Sequence, residues 1–176
     1  MPPKKTAPRP QPIDSEQLQL LALRYVERYA TTQTKLFRYL QRKIRERGWG
    51  GMDAAPVADL VARLAALGYV SDRSYGEARA RSLDARGFGR RRIGQELRAA
   101  GIEEALRTEI ADAQDARAAL ARLARRRRFG PYAETPPDDR QRQKQLAAML
   151  RAGHAFDLVR ELLDAPSVQA FEADQD

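Results

Sequence analysis

The sequence contains no cysteine and only one histidine, His154, among its 176 residues. Without thiols the chain forms no disulfide and has no zinc site built on thiolates. One imidazole alone also leaves too few ligands for a metal cluster, so we expect neither a metal nor a cofactor, and we expect His154 to be a turn residue. The absence of cysteine suits a reducing compartment such as the cytoplasm.

Long apolar runs and catalytic signatures are missing as well. No stretch approaches the roughly eighteen apolar residues that a membrane helix needs, and residues 1–14 lack the apolar segment of a secretory signal. No phosphate-binding loop or nucleophile-elbow motif occurs. The turn at residues 87–89, Gly-Phe-Gly, resembles an anion-binding nest, but no strand precedes it. We therefore expect a protein that is not an enzyme and has no membrane partner.

Basic residues exceed acidic ones, with 32 Lys and Arg against 24 Asp and Glu and a formal net charge of +8. Such an excess bears on partners and solubility rather than on the fold. It indicates an anionic partner, which is either nucleic acid or an acidic protein groove. Hydrophobic residues still make up 43% of the chain, which is enough to bury a core.

Apolar residues recur at helical spacing along most of the chain, and no alternating run rich in valine and isoleucine favours a strand. Gly48, Gly101 and Gly153 each end a basic helix that forms the middle of a group of three helices. Groups of this size cannot bury a core alone and should stack side by side. The sequence therefore predicts an all-α fold, an elongated tandem array of three-helix repeats that resemble helix–turn–helix units.

The predicted organisation has five parts. A disordered arm rich in proline and basic residues occupies 1–14, and an acidic frayed tail occupies 165–176. The three-helix repeats between them are expected at 15–70, 71–112 and 113–164.

Arginines concentrate at two helix ends. Arg125 and Arg126 lie at the C-terminal end of a helix, where the dipole favours cations, so a structural and a functional explanation are equally open. Arg90, Arg91 and Arg92 lie at a helix N-terminus, where cations are disfavoured. Local structure does not require arginines there, which favours a functional role.

A helical wheel separates these arginines further. With the apolar residues of the helix facing inward, Arg91 and Arg98 point to the opposite side, free for a partner. Arg92 can pair with Glu96 one turn later, and Arg81 faces solvent on the preceding helix. The candidate residues for binding a partner or nucleic acid are Arg81, Arg86, Arg90, Arg91, Arg92, Arg98, Arg125 and Arg126.

Residues 67–75 (LGYVSDRSY) and 89–98 (GRRRIGQELR), followed by Gly101-Ile102, resemble the bacterial RecX family. The resemblance is strongest over 64–110 and extends with looser motifs over 18–163. Two residues depart from the family's usual pattern, Gly76 where alanine is usual and Arg79 where an apolar residue is. As Arg79 falls on the apolar side of its helix, we expect its stem to lie along that surface.

The resemblance implies tandem three-helix repeats and a non-enzymatic cytoplasmic regulator of the RecA recombinase. Such a protein binds the RecA–DNA filament and restrains recombinase, ATPase and co-protease activity in DNA repair and the SOS response. The alternative is a non-specific nucleic-acid-binding helical protein without a dedicated protein partner, because no recognition helix singles out a DNA sequence. The expected partners are the RecA filament and single- or double-stranded DNA, and the chain is expected to be a monomer.

A linear array makes a prediction for solution scattering. If the repeats pack in a line, the radius of gyration should lie well above the roughly 16 Å of a compact chain of this length. Far-UV circular dichroism should show strong helical signal and no sheet component. A compact scattering profile would count against the linear arrangement.

Overall fold

The computed structural model describes residues 11–173, which form two compact units divided between Asp72 and Arg73. Within these residues the secondary structure is helical, with one isolated parallel bridge between Ile13 and Trp49 and no strand, so the prediction of an all-α fold is confirmed. A short 3-10 helix occupies Gly130–Tyr132. The α-helices are α1 (Ser15–Arg28), α2 (Gln33–Arg47), α3 (Val57–Ala66), α4 (Asp72–Ala85), α5 (Arg90–Ala99), α6 (Glu104–Asp112), α7 (Ala116–Arg127), α8 (Asp139–Arg151), α9 (Phe156–Asp164) and α10 (Val168–Glu172).

Side-chain caps fix where the first helices of the first unit begin. The Asp14 carboxylate accepts a hydrogen bond of 2.8 Å from the backbone N–H of Gln17, at the start that the sequence predicts for α1. At the start of α2 the Thr32 hydroxyl accepts from the N–H of Lys35 at 3.2 Å. The carboxylate of Asp72 accepts from the N–H of Gln33 at 2.8 Å, so two oxygens satisfy this helix end.

The core of the first unit includes a residue that the sequence analysis assigns to the disordered arm. Ile13 is fully buried, and its backbone N–H and C=O pair with Gly48 and Gly50, each at 2.9 Å. A lone isoleucine beside proline gives no periodicity, so only this tertiary pairing reveals its place. Residues 1–10 of the predicted arm lie outside the described part of the chain. The buried cluster comprises Ile13, Leu18, Ala22, Leu36, Leu40, Val57, Leu60, Val61, Leu64 and Val70.

In the second unit, α4–α6 form what we call the second helix group, and α7–α9 form the third. Their middle helices, α5 and α8, both end at a left-handed glycine, Gly101 with φ 80° and Gly153 with φ 94°. In both, the N–H of the following residue donates to the carbonyl five residues earlier, and that residue, Ile102 or His154, is buried. The glycine spacing in the sequence thus marks equivalent helix ends in these two groups. After Gly48 the chain instead extends to meet Ile13.

Each group of the second unit has its own apolar cluster. The second group buries residues of α4, α5 and α6, and a Cβ on Gly76 would lie 2.7 Å from Cδ1 of Ile110 and 3.1 Å from Cδ1 of Ile102. These isoleucines fill the space of the missing methyl group, which accounts for glycine at this position. The third group buries Leu120, Ala121, Leu123, Ala124, Met149, Val159, Leu162, Leu163 and Phe171.

The C-terminal end of α8 meets the N-terminal end of α5. The N–H of Gly89 donates to the carbonyl of Ala152 at 2.9 Å, and the N–H of Arg91 donates to the carbonyl of Gly153 at 3.2 Å. The turn at 87–89, which the sequence offers as a weak candidate for anion binding, therefore has its donors turned to protein carbonyls. The approach is close, because a Cβ on Gly89 would lie 2.4 Å from the Gly153 oxygen.

Part of the predicted frayed tail is folded. Phe171 of α10 is buried in the third group, its ring 4.6 Å from the Arg117 guanidinium. Glu172 accepts hydrogen bonds of 2.7 Å from Arg125 and from the hydroxyl of Tyr132. Burial and the Glu172 carboxylate raise the pKa of Tyr132 to about 12. A helix this short gives no periodic pattern in the sequence, which is why it was not predicted.

His154 takes the buried position after the helix-ending glycine of α8. Its Nε2 lies 3.0 Å from the carbonyl oxygen of Gly87, and its buried Nδ1 has no partner within residues 11–173. Because a carbonyl only accepts, Nε2 carries the proton and Nδ1 does not. Burial lowers the pKa of His154, so the imidazole is held neutral.

The contact between α8 and α5 predicts a steric test. The Gly89→Ala substitution should lower the free energy of unfolding by about 1–3 kcal/mol, because the new methyl group overlaps the Gly153 carbonyl. Gly94→Ala, within α5, is the matched control, since a Cβ there meets nothing within 4 Å. This control should raise stability by up to about 1 kcal/mol through helix propensity. Urea denaturation measures the free energy of unfolding of both variants. Equal changes in the two would contradict the close approach of Gly89 to the Gly153 carbonyl.

The buried imidazole predicts acid sensitivity. Above about pH 6.5 both the folded and the unfolded state carry neutral His154, so stability is unaffected. Below this value the unfolded state binds the proton first, and the free energy of unfolding should fall by up to about 1.4 kcal/mol per pH unit until the depressed folded-state pKa is reached. Denaturation of the wild type and of His154→Leu at several pH values tests this. If the free energies of unfolding of the two proteins fall in parallel as the pH is lowered, a group other than His154 causes the loss of stability.

Candidate functional site

Helices α5 and α6 enclose a shallow groove of about 350 Å³ on the second helix group. It forms because α5 turns Ile93 and Leu97, both fully buried, toward the core, which leaves the opposite side of the helix open. We call it the arginine groove and define it by Arg90, Arg91, Gly94, Gln95, Arg98, Arg107, Thr108, Ala111 and Asp112.

Arg91 and Arg98 lie two turns apart on the groove side of α5, and both are exposed. Neither guanidinium makes a hydrogen bond or an ion pair with any residue between 11 and 173. The orientation agrees with the helical wheel, which places this pair opposite the apolar face. Their ten potential donor hydrogens are therefore available to an outside acceptor.

Arg107 is a groove residue that the sequence analysis did not select. It lies on α6, next to the inward-facing Leu106, and forms an ion pair of 3.5 Å with Glu104. Its Nε is buried and has no acceptor among the described residues. The apolar residues of α6 indicate its buried side but do not single out Arg107. The one signal in the sequence is that Arg107 directly follows the inward-facing Leu106. The groove therefore contains three arginines with donors left over.

Arg90 lines the groove but serves the fold. Its Nε and Nη2 donate to the carbonyl oxygen of Gln114 at 3.0 and 2.8 Å, just beyond the end of α6. Its Nη1 lies 3.9 Å from the carboxylate of Asp112. A guanidinium at a helix C-terminus satisfies carbonyls that have no partner within the helix. Arg90 thus ties the start of α5 to the end of α6.

Arg92 is engaged within its own helix. It forms the predicted pair with Glu96, at 3.1 Å, which is confirmed. Glu96 also accepts from Arg79 of α4 at 2.8 Å, and this hydrogen bond, with the charge of both arginines, lowers the pKa of the Glu96 carboxyl. The partner of Arg79 explains how an arginine sits near the apolar side of α4.

The remaining candidates lie outside the groove. Arg126 donates to the backbone carbonyl of Arg86 at 2.8 Å, and the Arg86 guanidinium lies 5.2 Å from the centre of the Phe88 ring. Arg125 is bound to the C-terminal helix as described above. Arg81 is exposed on α4 and meets no partner within the described residues. Of the eight candidates, Arg90, Arg91 and Arg98 line the arginine groove, and Arg86 and Arg126 contact each other elsewhere.

A matching groove lies between α8 and α9 of the third helix group. Counted from the helix-ending glycine, Arg142 and Asp164 occupy the positions of Arg90 and Asp112, and they form an ion pair of 2.5 Å. Arg142 also donates to the carbonyl of Leu163 at 2.7 Å. The arginine that closes the last helix is therefore common to both groups and belongs to their shared architecture.

The other groove positions differ between the two groups. Counted from the same glycine, the third group has Gln143, Leu150 and Val159 in place of Arg91, Arg98 and Arg107. Val159 is fully buried in the core of the third group and Leu150 packs against that core. The groove of the second group is lined by four arginines and one aspartate, whereas that of the third is lined by two arginines, Arg142 and Arg160, and two aspartates. The excess of arginine is therefore a feature of the second group.

Within residues 11–173, no group of three or more histidine or acidic side chains is placed to hold a metal ion. No described helix is both long enough and apolar enough to cross a membrane.

The second helix group is similar to a known protein family. The family described as "RecX, second three-helix domain" matches residues 71–109. The chain is also similar in fold to a crystal structure of regulatory protein RecX, with a TM-score of 0.63 at 20% identity. That match covers 84% of this chain and 72% of the other.

Sequence relatives extend the similarity over most of the chain. Regulatory protein RecX of Myxococcus xanthus is 35% identical over 168 residues, which cover 89% of each chain. Regulatory protein RecX of Halorhodospira halophila is 34% identical over 147 residues, covering 83% of this chain and 86% of that relative. With this identity over nearly the whole length of its relatives, the chain belongs to the RecX family of regulatory proteins.

Proposed function

We propose that this protein is a non-enzymatic regulator that binds the filament of RecA recombinase on DNA and restrains its recombinase, ATPase and co-protease activities. The resemblance to RecX supplies the partner, and the regulator role is that of the family. The observation that carries the proposal is the pair of guanidinium groups in the arginine groove, those of Arg91 and Arg98, which have no partner in the part of the chain that the structure describes.

The chemistry of the groove suits anionic acceptors. A guanidinium presents a planar fork of donors that matches the two oxygens of a phosphate or a carboxylate. Arg91 and Arg98 lie roughly 10 Å apart along the helix axis, so together they contact two separate anionic groups. A filament of protein on DNA offers both kinds of group in a regular arrangement, which a shallow open groove can reach.

The second candidate is a non-specific nucleic-acid-binding protein without a dedicated protein partner. The net charge of +8 favours it, because the same guanidinium groups would bind the phosphates of free DNA. A pulldown with RecA in the presence and absence of single-stranded DNA separates the two candidates. Retention of RecA in the absence of DNA would favour the regulator. Retention of the RecA–DNA complex in a larger amount than DNA without RecA would also favour it.

The regulator proposal predicts the effect of a double substitution. Arg91→Ala with Arg98→Ala should raise the concentration needed to inhibit RecA-driven ATP hydrolysis at least about tenfold, since a hydrogen bond to a charged group contributes about 1.5–3 kcal/mol. Stability should change by no more than about 0.5 kcal/mol, because neither guanidinium has a partner among residues 11–173. ATPase titration and urea denaturation measure the two effects.

The matched control removes the same charge elsewhere. Arg127→Ala with Arg140→Ala takes two exposed arginines from outside the groove and leaves the net charge equal to that of the groove variant. Inhibition by this control should stay within about twofold of the wild type if the contact is local rather than a field effect of net charge. If both variants weaken inhibition equally, the groove is not the contact surface.

A further inference from the structure

A surface that combines tyrosine rings with arginine side chains lies on the first unit. Tyr25 lies on α1, and Tyr29 is the residue just after the end of this helix, where its backbone N–H donates to the carbonyl of Tyr25 at 2.9 Å. Tyr39 of α2 stacks on Tyr25, with ring centres 4.2 Å apart and planes inclined by 23°. The ring centres of Tyr25 and Tyr29 lie 5.3 Å apart, and their planes are inclined by 51°. The three rings form a continuous set, which we call the tyrosine cluster.

Burial divides the cluster into two parts. Tyr25 and Tyr39 are half-buried against the apolar core of the first unit, which explains their presence structurally. Tyr29 is 50% exposed and is not part of that core. Its ring contacts Tyr25 and the Arg28 guanidinium and extends the stack toward solvent, where half of the residue stays accessible.

Cations border the same surface. Arg28 lies 5.5 Å from the ring centre of Tyr29, and Arg42 lies 5.7 Å from that of Tyr39. These side chains line a shallow groove of about 470 Å³ together with Arg24. Glu46 lies 3.6 Å from Arg42 and offsets part of its charge. Arg24 and Arg28 have no acidic partner within residues 11–173.

We propose that the tyrosine cluster is a binding site for single-stranded nucleic acid, in which an unpaired base stacks on Tyr29 while Arg24 and Arg28 contact the flanking phosphates. Stacking on aromatic rings beside a basic track is how proteins hold single strands without sequence preference. Duplex bases are already stacked on each other and cannot cover Tyr29. An acidic peptide would use the arginines but has no need of the exposed ring.

The test uses the full chain and two strands of equal length, an oligothymidylate and an abasic deoxyribose–phosphate strand with the same number of phosphates. Binding is measured by fluorescence anisotropy without RecA, so the outcome does not depend on the proposed regulator function. The measurements are repeated in the Arg91→Ala, Arg98→Ala background, which removes the contribution of the arginine groove.

The wild type should bind oligothymidylate more tightly than the abasic strand. Tyr29→Ala should weaken oligothymidylate binding about tenfold and leave abasic binding unchanged, since one stacked base is lost and no charge is. Tyr29→Phe should retain the affinity because the ring remains. Tyr69→Ala removes a tyrosine of the same unit that is 58% exposed and should have no effect.

Three results would overturn the proposal. Equal binding of both strands by the wild type would make the surface a site for anions in general, open to an acidic peptide. Unchanged oligothymidylate binding by Tyr29→Ala would show that the ring takes no part. If Tyr29→Ala weakens binding of the oligothymidylate and of the abasic strand equally, the substitution disturbs the arginines instead of removing a stacking contact.

Discussion

The second unit depends on one contact, in which the last carbonyls of α8 accept hydrogen bonds from the first N–H groups of α5. The negative end of one helix dipole therefore faces the positive end of another. This arrangement offsets the cost of placing Arg90, Arg91 and Arg92 at a helix start, so their position alone no longer indicates function. Arg91 and Arg98 are distinguished instead by guanidinium groups that have no hydrogen-bond or ion-pair partner within residues 11–173. Arg107 pairs with Glu104 but keeps a buried Nε without an acceptor in the same part of the chain.

The second and third helix groups show how one architecture carries different chemistry. Both close their last helix with an arginine paired to an aspartate, Arg90 with Asp112 and Arg142 with Asp164. Around this shared pair the groove of the second group has three further arginines, whereas that of the third has one, Arg160, together with a second aspartate, Asp139. Residues that repeat in this way are explained by the fold. Residues that break the repetition need another explanation, and the arginine groove is the clearest example.

The sequence predicted what is local. Helices and the pairing of Arg92 with Glu96 depend on residues within about one turn of each other, and both could be inferred from spacing. Contacts between distant segments could not be inferred in this way. Ile13 and Phe171 are buried by partners far along the chain, and Arg126 binds a carbonyl of another helix. Of the arginines in the groove, the sequence indicated Arg90, Arg91 and Arg98 but not Arg107, which lies on the neighbouring helix α6.

The junction of α8 with α5 also has a consequence for folding. The first turn of α5 draws hydrogen-bond acceptors from residues much later in the chain, and the His154 imidazole spans the same junction to Gly87. Local opening of the third group therefore strips acceptors from the second, so the two are expected to gain and lose hydrogen-exchange protection as one cooperative element. During synthesis, α5 has its complete first turn only after residues 152–154 have left the ribosome.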